Sequence, residues 1–271
     1  MYQWFKIIVS EFQNTGERPV LNKKMEEVPT DISFAYKIST KYVKNKSVLD
    51  FGCGGGYGTE YLSRFTTKEV VGFDKDIKSI KSANVFFYST NLSFTHILPS
   101  KKFDVIVTFQ VIEHIKDRNK YFKILNKLLK PNGIILFSTP NKNITSFGLK
   151  KPAMVFHKTE FNPKSFQKEL SKNFNNVKIY GQISNSIKKK VIQNNYSYLD
   201  LVKSYPTRIK LTWRISQFEI VRSISRHLPM FIKYLLMGFD KKQSTINYSL
   251  VSANILVENS FSLIALVKSK K

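Results

Sequence analysis

The run Val48-Leu49-Asp50-Phe51-Gly52-Cys53-Gly54-Gly55-Gly56-Tyr57-Gly58 constrains this chain more than any other stretch. It leads from an apolar segment through a glycine cluster into the helix-like Thr59-Glu60-Tyr61-Leu62. Strand, tight turn and helix start open a doubly wound α/β unit. Glycines at 52, 54 and 56 allow positive φ and leave no side chain between the backbone and a ligand. Further on, Val70-Val71-Gly72-Phe73-Asp74 reads as a second strand ending in a carboxylate, where such a sheet places the acid that binds a ribose. Turn and acid together define a nucleoside site.

Spacing separates the two cofactor classes that use this layout. A dinucleotide fingerprint needs G-x-G-x-x-G, but the sixth position counted from Gly52 is Tyr57 and from Gly54 is Thr59. Asp50, Gly52, Gly54 and Gly56 instead resemble the D-x-G-x-G-x-G first motif of class I S-adenosylmethionine-dependent methyltransferases. From Asp31 to Gln182 the order of motifs is similar to the members of that family that act on small molecules, quinones and sugars. The resemblance implies a Rossmann-like, doubly wound, mostly parallel sheet of about seven strands. It also implies that S-adenosylmethionine is held by Asp50, Phe51, Gly52, Cys53, Gly54 and Gly56 at the turn, and by Asp74 with Lys75 at the ribose. Thr90-Asn91 stand where the family has an Asp near the adenine amine; the Asn91 amide oxygen can accept that hydrogen bond. Gln110, after the fourth strand, completes the expected cofactor set.

With 271 residues and 42% apolar content, the chain can bury a large core. Its formal charge of +25 is uneven: residues 1 to 150 hold 23 Lys/Arg against 13 Asp/Glu, and residues 151 to 271 hold 21 against 6. That field favours anionic partners such as nucleic acid, acidic headgroups or phosphorylated sugars, or is a plain solvated basic surface. One cysteine excludes an internal disulfide framework and suits a reducing compartment. Ile7-Ile8-Val9 is too short for a signal-peptide core, and no run reaches the roughly 18 apolar residues of a spanning helix. A cytoplasmic location, peripheral at the membrane if attached at all, is the default expectation.

Residues 1–30 read as an N-terminal segment, 31–186 with 246–271 as the α/β domain, and 187–245 as a helical insertion before the last strand. Strands are expected at Ser47–Phe51, Glu69–Phe73, Val85–Tyr88, Phe103–Phe109, Ile134–Thr139, Asn176–Gln182 and Phe261–Lys268. Between them, Asn119–Leu129 is an amphipathic helix stopped at Lys130-Pro131-Asn132-Gly133, and Asn162-Pro163 opens another.

Three residues are catalytic candidates. Gln110 to His114 resembles the V-x-E-H run of ubiquinone-type O-methyltransferases, some of which bind a divalent metal through E-x-x-E-H. Gln110 stands where the first carboxylate would be, so no metal is expected, and His114 beside Glu113 is read as a general base. Alternatively the pair shapes the cofactor pocket. His157, with Glu160 three residues on, reads as a base with its orienter or as a loop histidine.

Thr15-Gly16-Glu17-Arg18-Pro19 resembles a T-G-E-R-x-x-P segment of methyltransferases associated with cell-surface glycans, with its proline two places early. The insertion interleaves basic and large apolar residues, as in Lys188-Lys189-Lys190, Trp213-Arg214-Ile215 and Leu228 to Phe239. It suits a lid, a dimer face, a membrane-surface helix, or a subdomain packed on its own sheet. The expected function is O-methylation of a sugar, a glycan-lipid or another small molecule. The alternatives are methylation of RNA at ribose or carbon, and cofactor binding without catalysis. Phe109-Gln110-Val111-Ile112 lacks the D/N-P-P-Y/F motif of enzymes that methylate base amines, which argues against that chemistry and leaves ribose or carbon methylation open. Sequence alone gives no oligomeric state.

Overall fold

A computed structural model of the chain describes residues 23–28, 30–146, 152, 157–194, 247–252, 254–258 and 260–270. The Thr15 to Pro19 segment and the insertion beyond residue 194 lie outside the described residues.

Eight strands build one sheet: β1 (Val48–Phe51), β2 (Val70–Phe73), β3 (Leu92–Thr95), β4 (Phe103–Phe109), β5 (Leu129–Pro140), β6 (Phe174–Ser184), β7 (Tyr248–Val251) and β8 (Ser262–Ser269). Their order is β3-β2-β1-β4-β5-β8-β6-β7. The first five pair in parallel, while β8 runs antiparallel between β5 and β6. The expected sheet thus gains one strand, β7, which pairs antiparallel with β6 at the edge.

Eight helices are described: α1 (Thr30–Val43), α2 (Tyr57–Ser63), α3 (Ile77–Phe86), α4 (Arg118–Leu128), α5 (Lys142–Thr145), α6 (Pro163–Ser171), α7 (Asn185–Asn194) and α8 (Asn254–Glu258). Apolar residues of the strands feed two separate cores. Leu49, Ile106, Ile135 and Phe137 face one layer with Phe122 and Leu125 of α4 and Phe166 of α6. Val48, Val105, Val107 and Leu136 face the other with Tyr36 of α1, Leu62 of α2 and Ile80 of α3. A sheet covered on both faces needs such continuous apolar strands, which explains why β4 carries no clean alternation of apolar and polar residues.

The third strand falls later than its sequence signal. Val85 and Phe86 end α3, and Val85 and Tyr88 are 90% and 93% exposed. Asp76 caps α3 by accepting from Ser79 N–H at 3.3 Å, and Ile80 and Ala83 bury one helical face, so the helix runs on through the β-branched and aromatic residues. Strand pairing falls instead to Leu92–Thr95, in register with Val70–Phe73 and with Phe94 buried. The punctuation after α4 acts as expected on the helix, since Pro131 cannot continue it. Leu129 nevertheless already pairs with Phe103, and a register shift between Phe103 and Val105 absorbs the intervening residues.

Candidate cofactor and catalytic site

From β1 the chain moves outward through β2 and β3, then returns to β4 beside β1 and moves the other way to β5. This reversal opens a crevice at the C-terminal ends of β1 and β4. The glycine turn leaves β1 there, with φ of 87° at Gly52, 53° at Gly54 and 83° at Gly56. A side chain at Gly52 would lie 2.5 Å from Val111 Cγ2, so that glycine lets the turns after β1 and β4 touch. A Cβ on Gly54 would meet nothing within 4 Å, which leaves an open cradle above it.

Asp74, at the end of β2, closes one side of the cradle. Its Oδ2 accepts from Gly54 N–H at 2.9 Å and its Oδ1 from Asp76 N–H at 2.9 Å. Each carboxylate oxygen keeps further acceptor capacity, which suits the two hydroxyls of a ribose. Lys75 is exposed on the same rim, as are Ile77 and, after β3, His96, Ile97 and Leu98.

Asp50 supports the turn from below. It is fully buried and accepts from Thr59 Oγ1 at 2.7 Å and Tyr36 Oη at 3.2 Å. Burial pushes its carboxyl up to about 7 against the opposing hydrogen bonds from Thr59 and Tyr36, and the nearby Asp74 adds to the rise. Phe51 packs on Phe73 and Tyr121, with ring centroids at 4.9 and 5.6 Å, so its side chain belongs to the core. Cys53 is buried, which drives its thiol well above the ordinary range and removes it as a nucleophile. The side chains of Asp50, Phe51 and Cys53 therefore build the turn from within.

Asn91 is a correction. With β3 beginning at Leu92, Asn91 precedes the strand and sits at the end of the sheet opposite the cradle. Its Nδ2 donates to the carbonyls of Ser63 at 3.0 Å and Thr66 at 2.8 Å. The place after β3 is held by His96 and Ile97, which sequence reasoning missed because it put the strand at Val85–Tyr88, well before Leu92–Thr95.

The turn after β4 carries the catalytic candidates. Gln110 adopts φ of 55°; its N–H donates to Ser138 O at 3.0 Å and its Nε2 to Ser138 Oγ at 3.1 Å, which lays the residue across β5. A short 3-10 turn, Ile112–His114, follows, with Glu113 fully buried and accepting from Thr139 Oγ1 at 3.1 Å. The Glu113 carbonyl also accepts from Lys158 N–H at 2.7 Å and Thr159 N–H at 3.2 Å, pinning the 157–160 segment over this turn. His157 is thereby brought to His114, with ring centroids 5.1 Å apart.

His157 Nδ1 lies 2.7 Å from Glu160 Oε1. Glu160 also accepts from Thr145 Oγ1 at 2.8 Å and from Ser146 Oγ. Burial raises the Glu160 carboxyl, but the hydrogen bonds from His157, Ser146 and Thr145 outweigh it and hold the group below its ordinary value. Arg118 locks the segment from outside, through Glu169 at 2.8 Å and Thr159 Oγ1 at 3.0 Å. All three candidates, Glu113, His114 and His157, converge, with one ligand-type atom of each within 4.8 Å of the others. Chain order gave no sign of this, because the convergence depends on backbone bonds between segments more than 40 residues apart.

The glycine cradle, the carboxylate at the end of β2 and the switch point define a nucleoside-cofactor domain of the doubly wound type. The methyltransferase domain family matches residues 25–180, more than half of the chain, and the chain belongs to it. Its cofactor is S-adenosylmethionine, which the Gly54 cradle and the Asp74 carboxylate fit.

Over 121 residues the chain is 36% identical to a ubiquinone biosynthesis O-methyltransferase of Pelagibacter ubique, covering 42% of this chain and 50% of that protein. Over a further 121-residue match it is 32% identical to a probable S-adenosylmethionine-dependent methyltransferase of Mycolicibacterium smegmatis, covering 43% and 47%. The chain spans about half the length of these curated relatives. A SAM-dependent methyltransferase structure from Thermotoga maritima shares the fold at a TM-score of 0.51 and 10% identity, covering 100% of this chain and 96% of that one. Among the described residues, no helix is long and apolar enough to cross a membrane.

Proposed function

We propose that the chain transfers a methyl group from S-adenosylmethionine to a hydroxyl oxygen of a saccharide or a saccharide-bearing lipid. The observation that carries the oxygen acceptor is the convergence of Glu113, His114 and His157 beside the cofactor cradle. Bound there, S-adenosylmethionine supplies a methyl group on a cationic sulfur. Asp74 and the glycine turn hold that cofactor in place, so that an acceptor in the crevice meets the methyl in line and proximity lowers the barrier. In this reading the imidazoles of His114 and His157, paired at 5.1 Å between ring centroids, take the hydroxyl proton, and Glu160 fixes the ring of His157 for that task. Ile77, Ile97 and Leu98, exposed on the cradle's rim, offer apolar surface to the adenine.

The saccharide part of the reading rests on the Thr15 to Pro19 resemblance and on the basic excess beyond residue 150. Incubation with methyl-labelled cofactor and separated glycan, lipid and RNA fractions tests it. Label in the glycan or glycolipid fraction, lost in a His114→Ala, His157→Ala double variant that still binds cofactor, is the expected result. Label confined to RNA would overturn it.

A further inference from the structure

We propose that the exposed face of α3, with the residues that lead from it into β3, docks on the anionic headgroups of a lipid bilayer. Helix α3 turns Ile80 and Ala83 into the core, which leaves Lys78, Lys81 and Val85 on its outer face at helical spacing. Phe86 is 41% exposed near them, and Val85 and Tyr88 are the most exposed large apolar side chains among the described residues. Single apolar residues on a surface need no explanation, but between Val85 and Tyr88 only Phe87 is buried, so the exposure here is contiguous.

Charge decides what covers this face. From Ile77 to Phe103 the chain holds four lysines and no Asp or Glu, and all four, Lys78, Lys81, Lys101 and Lys102, are exposed. Glu69, just before β2, is already paired with Lys101. The face is basic and apolar at once, the combination that holds a surface at an anionic leaflet. Tyr88 suits the same boundary, since its ring is apolar and its hydroxyl can stay in water. With so few apolar residues the contact orients the domain and does not anchor it by itself.

Two other occupants fit less well. A second copy seated by two-fold symmetry brings Lys78 and Lys81 of both chains together, where like charges repel. Nucleic acid favours arginine forks, whereas this face sets lysines around an aliphatic Val85. Helix α3 starts at the rim of the cradle, just after Asp74 and Lys75, so a leaflet lying along it reaches the mouth of the crevice. A lipid-borne acceptor then enters without leaving the surface. That consequence rests on the acceptor proposed above; the docking does not.

The whole chain carrying Tyr88→Trp is mixed with vesicles of brominated phosphatidylcholine and phosphatidylglycerol, and its tryptophan emission is compared with that of wild type. Lys123→Trp, an exposed site on α4 across the sheet, serves as the control. Beyond the wild-type signal, Tyr88→Trp alone should shift to the blue and be quenched, and both effects should fade with added salt or on brominated phosphatidylcholine alone. Adding Lys78→Glu and Lys81→Glu should remove the quenching, and Val85→Asp, which leaves both lysines in place, should reduce it. Circular dichroism and S-adenosylmethionine affinity should stay unchanged in each variant. No quenching of Tyr88→Trp, equal quenching of Lys123→Trp, or quenching indifferent to these substitutions in folded protein overturns the proposal. Dimerisation lost on Val85→Asp, or binding of single-stranded RNA lost on the charge reversal, without lipid contact also overturns it and assigns the face to that partner.

Discussion

The Gly54 N–H donates to Oδ2 of Asp74 at 2.9 Å, so the glycine turn after β1 and the acid after β2 form one rigid corner before any ligand arrives. That arrangement makes Asp74 the anchor of the turn, and we propose that it also accepts from the ribose hydroxyls of the cofactor. Asp74→Ala removes both roles and should weaken S-adenosylmethionine binding by roughly 2 to 4 kcal/mol. Asp74→Asn keeps an oxygen for Gly54 N–H but loses the charge, so it should fall between wild type and Asp74→Ala. Calorimetry on the three proteins tests the ordering, and NAD should bind to none of them.

Two glycines of the same run should separate ligand binding from folding. At Gly54 a Cβ enters open space, and the left-handed backbone costs a non-glycine residue about 1 to 2 kcal/mol. Gly54→Ala should therefore fold, with modest destabilisation, and lose cofactor affinity because the cradle is filled. At Gly58 a Cβ would lie 2.0 Å from Cζ of the buried Tyr36, whose hydroxyl is tied to Asp50. Gly58→Ala should be the less stable protein, by about 1 to 3 kcal/mol or more, since that ring has no room to retreat. Thermal melts and cofactor titrations on both variants check the contrast.

Asp50 should leave a mark on stability against pH. Its folded carboxyl is raised by burial to about 7, above the ordinary 3.8 of the unfolded chain. Between those values the folded state binds the proton and the unfolded state does not, so this group's stabilising contribution is complete below about pH 4 and declines as pH rises toward 7. The full change is on the order of 4 kcal/mol. Asp104 and Glu169 act in the opposite sense. Their folded carboxyls sit below the ordinary value because hydrogen bonds, from Ser47 and Lys130 in one case and from Arg118 and Lys172 in the other, outweigh burial. The wild-type profile alone mixes these effects. Asp50→Asn removes the first one, so urea unfolding at pH 5 and pH 8 should show wild type losing stability relative to the variant as pH rises. A constant difference between the two proteins would refute the assignment.

The shape of the glycine turn and the place of Asp74 beside it were legible because their signals are local. The glycine register fixed the turn, and an acid at the end of the next apolar run fixed Asp74. Asn91 failed for a physical reason: the apolar pattern at Val85–Tyr88 suits a strand, but the Asp76 cap and the buried Ile80 and Ala83 carry the helix through it. Glu113, His114 and His157 were each visible singly. Their meeting was not, since it depends on Lys158 and Thr159 bonding to a carbonyl more than 40 residues earlier. The motif placed Asp50 at the cofactor turn, but that its side chain is buried beneath the turn against Thr59 and Tyr36 depends on the fold.

The segment from about 187 to 245 carries the remaining prediction, attachment to an anionic membrane surface. Its first turns, in α7, send Val191 into the core beside β6, so the segment starts from a fixed point on the sheet. Beyond it the sequence places Phe231, Leu235 and Leu236 among basic residues, within a C-terminal part that holds 21 Lys/Arg against 6 Asp/Glu. Each basic side chain near an anionic leaflet contributes about 1 kcal/mol, and the apolar residues add a hydrophobic term, so reversible binding requires no spanning helix. The competing arrangement buries those apolar residues within the protein and leaves a basic exterior. Flotation with anionic vesicles at low salt distinguishes the two. The intact chain should co-float, added salt should release part of it, and a chain lacking 187–245 should stay behind while still binding S-adenosylmethionine. Equal flotation with and without the segment would move the attachment elsewhere on the basic surface, and no flotation of the intact chain would make the segment a lid over the acceptor.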